Sequence, residues 1–480
     1  MTQNRSNGHS RAGGPGAPAN TSSSTEFVAS AAAAAAEART LLDTSGEGDA
    51  AQQGRDALRA ALPVFMHTTT RRRPRPFSPV YHRVRGTGLT LLLVPVALLV
   101  SMIEAVRSAV EWLDRARGGE LEQRFNRPAA MPAPAERSVA DIVSSLKRFP
   151  FRPTRMSTHR AFYRDFGPEG LGIVLGNQQA LIGLPHIYPS HFKPVLLMGA
   201  DGERIAGMQA MHHTPGPALI ICHGFLTSKH FDYIRQIACR AYFGWGFHVI
   251  TMDLRSWGQT AWTSEAPSSV GWAEGRDVLE IATALKADGL VTSVGALGFS
   301  LGGSTVLNAA HAASLEDPEV LDGGVLALSA PTDMRAALEH ISTRPHWRDP
   351  YALLYFIFHS ALRSGLRARG IDNRMRSWAE VTERFTAPWY GVPVEEYHAR
   401  ASAVNFAGAI TVPTLEIHAE DDFVVPPEHA RNLRDAAVDN PNLDVWIVER
   451  GNHCAFGSVD KVWYHSVVRR WFEYWADEAP

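Results

Sequence analysis

Three stretches of the sequence carry side chains suited to acyl chemistry. The first, Gly298-Phe299-Ser300-Leu301-Gly302-Gly303, has the form G-x-S-x-G. The short apolar run Val294-Gly295-Ala296-Leu297 precedes it, and small, helix-compatible residues follow from Ser304. Strand, sharp turn and helix is the setting in which a serine is lifted clear of a sheet as a nucleophile. Side chains at positions 298 and 302 would collide across such a turn, which gives the glycines a steric reason. The pentapeptide alone would arise by chance in roughly one chain in six of this length, so its company decides.

That company is an acid and a base, each at the end of a later apolar run. Thr414-Leu415-Glu416-Ile417 leads to Asp421-Asp422 and Pro426, and Leu443 to Val448 leads to Gly451-Asn452-His453. A histidine can take the serine proton near neutral pH, and an acid can hold its tautomer. Asp422 is preferred as that acid over its neighbour Asp421 and over Asp333, which follows the run Gly324–Leu328. Negative charge developing on the substrate carbonyl needs two backbone N–H donors. The expected donors are Leu301, next to the serine, and Phe225, in His223-Gly224-Phe225 after Ala218–Cys222. Asp253 and Arg255 lie at another strand end, where a structural bridge between loops is the expected role.

The elements needed to position these residues are present in the right order. Val195–Met198 and Arg204–Met208 flank the turn signal Asp201-Gly202. Further strands are expected at 218–222, 247–252, 294–297, 324–328, 414–417 and 443–448. Val278, Ile281, Ala282 and Leu285 mark one face of a helix. Short buried strands alternating with helices predict a mostly parallel sheet covered on both faces, an α/β fold. Residues 335–400 break the alternation with a helical, aromatic segment placed as a lid-like insert.

Residues 194–475 resemble an α/β-hydrolase, with Ser300, Asp422 and His453 in that fold's chain order. Within it they resemble the YheT-like esterase and lipase group. The resemblance rests on Gly298 to Gly303, Phe385-Thr386-Ala387-Pro388-Trp389-Tyr390-Gly391 with Tyr397 and Ala401-Ser402-Ala403, Val412-Pro413-Thr414, and Asp421-Asp422. Asp253-Leu254-Arg255-Ser256-Trp257-Gly258 and His453-Cys454-Ala455-Phe456-Gly457 depart from that group's pattern. The resemblance implies a serine hydrolase of carboxylic esters acting through an acyl-enzyme on Ser300. Transfer of the acyl group to an alcohol would use the same triad. A non-catalytic membrane-tethered binding protein is the alternative of another class, disfavoured by the intact set of three.

The remainder of the 480 residues is organised around that domain. Residues 1–62 form an N-terminal extension without a cleavable signal, expected to be disordered over 1–25 and weakly helical through the alanine-rich 26–62. Residues 63–137 hold a basic cluster from Arg71 to Arg75, an apolar run from Leu89 to Ile103 and a proline-rich linker. The run is shorter than the ~20 residues that span a bilayer comfortably, but its basic flank predicts membrane association, with a cytoplasmic location as the alternative. Ser138 should cap a short helix reaching about Phe149, at the start of an irregular arm, 138–193, ahead of the catalytic domain 194–480. A net charge of −2 gives no field that would draw nucleic acid. Cys222, Cys239 and Cys454 form no metal-binding or disulfide pattern. No cofactor or metal is expected, and the expected partner is a small-molecule ester, with an apolar acyl group delivered from a membrane surface.

Overall fold

A computed structural model describes residues 137–149, 151–153, 188–346, 375–457 and 463–476, with Tyr351, Tyr355, Phe358, His359 and Leu362 between 346 and 375. The expected N-terminal extension, the basic cluster with its apolar run, and most of the arm lie outside the described residues.

The apolar runs form eight strands: β1 Lys193–Met198, β2 Arg204–Ala210, β3 Gly216–Cys222, β4 His248–Met252, β5 Val291–Phe299, β6 Val325–Leu328, β7 Thr414–Ala419 and β8 Leu443–Val448. They make one sheet in the order β1-β2-β4-β3-β5-β6-β7-β8. The pairs β1–β2 and β2–β4 are antiparallel, and the other five are parallel. The parallel strands therefore release their C-terminal loops along one edge, where α/β sheets hold ligands.

The centre of the sheet, β3 to β7, is buried on both faces, and the two-residue period of each strand sorts its side chains between two cores. On β3, Ala218, Ile220 and Cys222 enter one core, and Leu219 and Ile221 enter the other. The first core is covered by α3 (Trp272–Lys286), α4 (Leu301–Glu316), α5 (Met334–Ser342), α6 (Val394–Ala401) and α7 (Glu428–Ala436). The second is covered by α1 (Val139–Leu146), α2 (Asp232–Trp245) and α8 (Trp463–Ala476). Helix α4 is lined almost throughout by buried residues, because it packs on the central strands β5, β6 and β3 with α3 against its flank.

Helix α1 shows why a short segment folds onto a distant partner. Ser138 Oγ accepts the Asp141 N–H at 3.1 Å, and the helix closes at Leu146, one turn before the expected end. Its apolar residues Val139, Ile142, Val143 and Leu146 follow the i, i+3, i+4, i+7 spacing and are all buried. The Ser138 N–H donates to the Tyr474 hydroxyl of α8 at 3.1 Å.

Between β6 and β7 the described residues include α5, short helical turns from Trp378 to Trp389, and α6. Two tyrosines tie this segment to the loop before α3. The Tyr390 hydroxyl donates to the Pro267 carbonyl at 2.6 Å, and the Tyr397 hydroxyl donates to the Ser268 carbonyl at 3.1 Å. These tyrosines belong to the stretch that carried the finer resemblance, and here they act as fasteners.

Candidate active site

Ser300 sits between the end of β5 and the start of α4 with φ 53° and ψ −117°, outside the regions comfortable for a side-chain-bearing residue. Neighbouring packing holds it there. Its N–H donates to the Leu328 carbonyl at 2.8 Å, and its carbonyl accepts the Ser304 N–H at 3.1 Å. A Cβ at Gly298 would fall on the Gly302 carbonyl, and one at Gly302 on the Cys222 carbonyl of β3. The glycines therefore allow both the turn and its close approach to the adjacent strand. Ser300 is 8% exposed and faces a cavity.

His453 reaches the same cavity from the loop after β8, with 13% of its side chain exposed. Its Nδ1 lies 2.9 Å from Asp422 Oδ2. The other oxygen, Oδ1, accepts the N–H groups of Val424 and Val425 at 2.9 Å each, so the Asp422 carboxylate is fixed by its own loop. Burial works against charge on both groups, yet mutual attraction outweighs it. Asp422 is held below the usual carboxylate range, and His453 is raised well above an ordinary histidine.

The two competing acids have other partners. Asp421 Oδ1 accepts the N–H groups of Gly451 and Asn452 at 2.7 Å each and so pins the histidine loop. Asp333 caps α5, its Oδ1 accepting the Ala336 N–H at 3.1 Å.

Phe225 and Leu301 both line the cavity beside Ser300. Leu301 is the first residue of α4, so its N–H has no partner within the helix and lies at the positive end of the helix dipole. Next to Phe225, the Gly224 N–H donates to the Tyr233 hydroxyl at 2.9 Å, and the Thr227 hydroxyl donates to the Gly224 carbonyl at 2.8 Å. Deeper still, Asp253 Oδ1 accepts the Lys229 N–H at 2.7 Å while Oδ2 pairs with the fully buried Lys229 ammonium. His223 Nε2 accepts the Leu254 N–H at 3.1 Å. Arg255 forks onto both oxygens of Asp277 at 2.8 and 2.7 Å and also donates to the Ala200 carbonyl at 3.2 Å. Asp253 and Arg255 thus brace loops beneath the site.

Sequence reasoning missed Tyr233, Thr227 and Lys229, whose spacing from His223 matches no general rule. It also passed over Glu416 and His418 on β7. Their signal was present: a doubly buried parallel strand should read as apolar throughout, and Thr414-Leu415-Glu416-Ile417-His418 does not.

The cavity is mainly hydrocarbon and aromatic. Val270, Met334, Leu338, Ile341, Phe358 and Val424 contribute to its wall, and Thr227, Tyr233, Ser300, His453 and Cys454 are its polar side chains. Among the described residues, no lysine, arginine, aspartate or glutamate lines it.

Residues 217–458, about half of the chain, match the family described as the alpha/beta hydrolase fold. A Synechocystis sp. protein whose name gives it as a candidate esterase is 24% identical over 232 residues, covering 44% of this chain and 62% of that protein. The medium-chain fatty acid ethyl ester synthase/esterase 2 of Saccharomyces cerevisiae is 32% identical over 99 residues, 20% of this chain and 21% of that enzyme. The chain thus spans less than two thirds of the length of either relative. Among solved structures, the Pyrococcus furiosus esterase Pf2001 aligns with a TM-score of 0.39 and 18% identity, covering 59% of this chain and 91% of that one.

Proposed function

The chain belongs to the α/β-hydrolase fold family, and from that premise we propose that it is a serine hydrolase of carboxylic esters with apolar acyl groups. The observation that carries the reading is the shared cavity. Ser300 on its strained turn and His453, already paired with Asp422 at 2.9 Å, open into one apolar chamber.

In this reading Ser300 Oγ attacks the ester carbonyl carbon while His453 Nε2 takes its proton. Asp422 keeps the other imidazole proton on Nδ1 and stabilises the imidazolium. The N–H groups of Phe225 and Leu301 receive the oxyanion. His453 then returns the proton to the departing alcohol, leaving the acyl group on Ser300. Water, activated by His453, releases the carboxylic acid. A neutral, apolar wall favours an acyl chain over a charged or sugar-like group, because a desolvated charge would find no partner there. The names of the Synechocystis and yeast relatives support the same direction.

Fluorophosphonate labelling tests this directly. The full chain should react covalently at one site and hydrolyse p-nitrophenyl esters. Ser300→Ala should abolish labelling and lower turnover by roughly 10⁴-fold or more. Labelling that survives in Ser300→Ala would overturn the assignment, and an unreactive wild-type chain would favour a binding protein.

A further inference from the structure

Behind the Asp422–His453 pair lies a second pair of buried titratable groups that the acyl chemistry does not use. On β7, Leu415, Ile417 and Ala419 enter one core, leaving Glu416 and His418 together on the opposite face, both 0% exposed. Two polar groups in a doubly covered strand are costly to bury unless each is paired.

The pairing gives each ring nitrogen a partner that can accept a hydrogen bond from it. His418 Nδ1 lies 2.9 Å from Glu416 Oε1, and Nε2 lies 2.9 Å from the Val425 carbonyl. The Val425 carbonyl can only accept, so Nε2 carries a proton, and a second proton on Nδ1, facing the Glu416 carboxyl group, makes the ring an imidazolium with a partner at each nitrogen. Glu416 depends on that ring in turn. Its Oε1 also accepts the Ala330 N–H at 3.3 Å, and Oε2 has no hydrogen-bond partner among the described residues. The same Nε2 is 3.7 Å from Asp422 Oδ2, the oxygen that faces His453.

We propose that His418, held as an imidazolium by Glu416, is a positioning residue that fixes the 422–425 loop and keeps Asp422 ionised for His453. The inference rests on the triad reading above. One ring donates to the Val425 carbonyl and sets its charge 3.7 Å from the Asp422 carboxylate, two points of the same loop. His453 shares the Asp422 oxygen with it, and a third ring, His429, stays neutral. His429 on α7 accepts the Thr332 and Asp333 N–H groups at its Nδ1, 3.2 Å each, and burial followed by the His418 charge drives its pKa down to about 4. For His418 burial opposes the charge, but Glu416 and then Asp422 outweigh it and push the pKa up to about 9. Set beside Asp422, this positive charge also tempers the rise in the His453 pKa, since like charges oppose one another.

The test uses the full chain and its pH dependence with a p-nitrophenyl ester. Removing a cation near His453 makes that ring easier to protonate. His418→Gln should therefore move the acid limb of kcat/KM upward by about half a pH unit or more. A uniform loss of activity with an unmoved limb would mean packing alone and would overturn the proposal. Histidine labelled at Cε1 gives an independent readout on the wild-type chain, with the His418 signal identified by its loss in His418→Gln. That signal should stay in the imidazolium position through pH 7 and titrate at least one unit lower in Glu416→Gln. Titration near pH 6.5 in the wild type would also overturn the proposal. Should His418→Gln fail to fold by circular dichroism, the same signal is identified in Glu416→Gln by its displaced titration, and the wild-type midpoint decides. Ser300→Ala run in parallel separates the two ideas. Retained labelling there sinks the triad reading, whereas lost labelling with an unmoved limb in His418→Gln sinks only the brace.

Discussion

Asp421, Asp422 and Asp333 differ in what their carboxylates hold, and that difference sets the expected cost of losing each charge. Asp422 Oδ2 faces His453 Nδ1, and an asparagine there presents either a neutral oxygen or an N–H that forces the wrong tautomer. Asp422→Asn should therefore lower kcat by roughly 10⁴-fold. An asparagine at 421 or 333 can still accept the backbone N–H groups of the histidine loop or of the α5 cap, so those variants should stay within about tenfold of wild type. Circular dichroism on all three checks that folding is intact, and a dominant loss in Asp333→Asn would move the acid to β6. The pH profile carries a second expectation. His453 is raised well above 6.5, with Asp422 the main force against burial. It is the free base only above its folded-state pKa, so kcat/KM should fall as pH drops through a midpoint above 6.5. Asp422→Asn removes the negative charge, so its residual activity should show that midpoint at lower pH. An unchanged midpoint would mean that Asp422 does not set it.

At the scale of elements, the serine turn depends on how closely α4 approaches its neighbours. Helix α3 lies against it through Gly275, where a Cβ would meet Asn308 Cβ at 2.7 Å and the Ala309 backbone nitrogen at 2.8 Å. A backbone atom cannot rotate aside, so a side chain at 275 must push the helices apart or unfold a turn. Because Ser300 forms the N-terminal boundary of α4, that displacement should reach the site. Gly275→Val should lower stability by about 1–3 kcal/mol or more in urea denaturation and reduce ester turnover together with it. A wild-type midpoint would show that the α3–α4 contact gives way freely. The His223–Lys229 loop is fixed differently, by hydrogen bonds with Tyr233 and Thr227 around Gly224 and by the buried carboxylate of Asp253, which gathers a backbone N–H and an ammonium from Lys229.

For the whole molecule, the open matter is what the residues before α1 do. We propose that residues 71–106 carry the chain to a membrane surface, from the basic cluster beside the apolar run. Among the described residues, no helix is long and apolar enough to cross a membrane. The full chain should pellet with membranes and resist a high-salt wash, while a chain beginning a few residues before Ser138 should remain soluble and active. A full chain that stays in solution without detergent would sink the idea. Shortening further to residue 188 should be more harmful. It strips Val139, Ile142, Val143 and Leu146 from the core beside α8, at roughly 1.5–3 kcal/mol for each buried aliphatic side chain. Thermal unfolding of the two truncated chains compares the losses.

What could be read without coordinates was what local physics dictates. The aliphatic runs mark all eight strands to within a few residues, most plainly β3 to β7, whose burial in the parallel part of the sheet demands them. The turn at Ser300 is written in Gly298 and Gly302, because a side chain at either position would strike backbone. The order of Ser300, Asp422 and His453 was also visible, since each follows a strand. Their distances were not, nor was the division of labour between Asp421 and Asp422, which rests on two adjacent carboxylates turning to different loops. Helix α1 reads as the start of an arm lying on the catalytic domain, but its contact with Tyr474, 336 positions away, whose hydroxyl accepts the N–H of the cap residue, has no signal in the sequence. Lys229 with Asp253 and Glu416 with His418 carry no local signature of their partnership, beyond being polar where burial is expected. Sterics and periodicity act between neighbours in the chain, whereas the pairing of buried charges is decided only when the fold removes water from both.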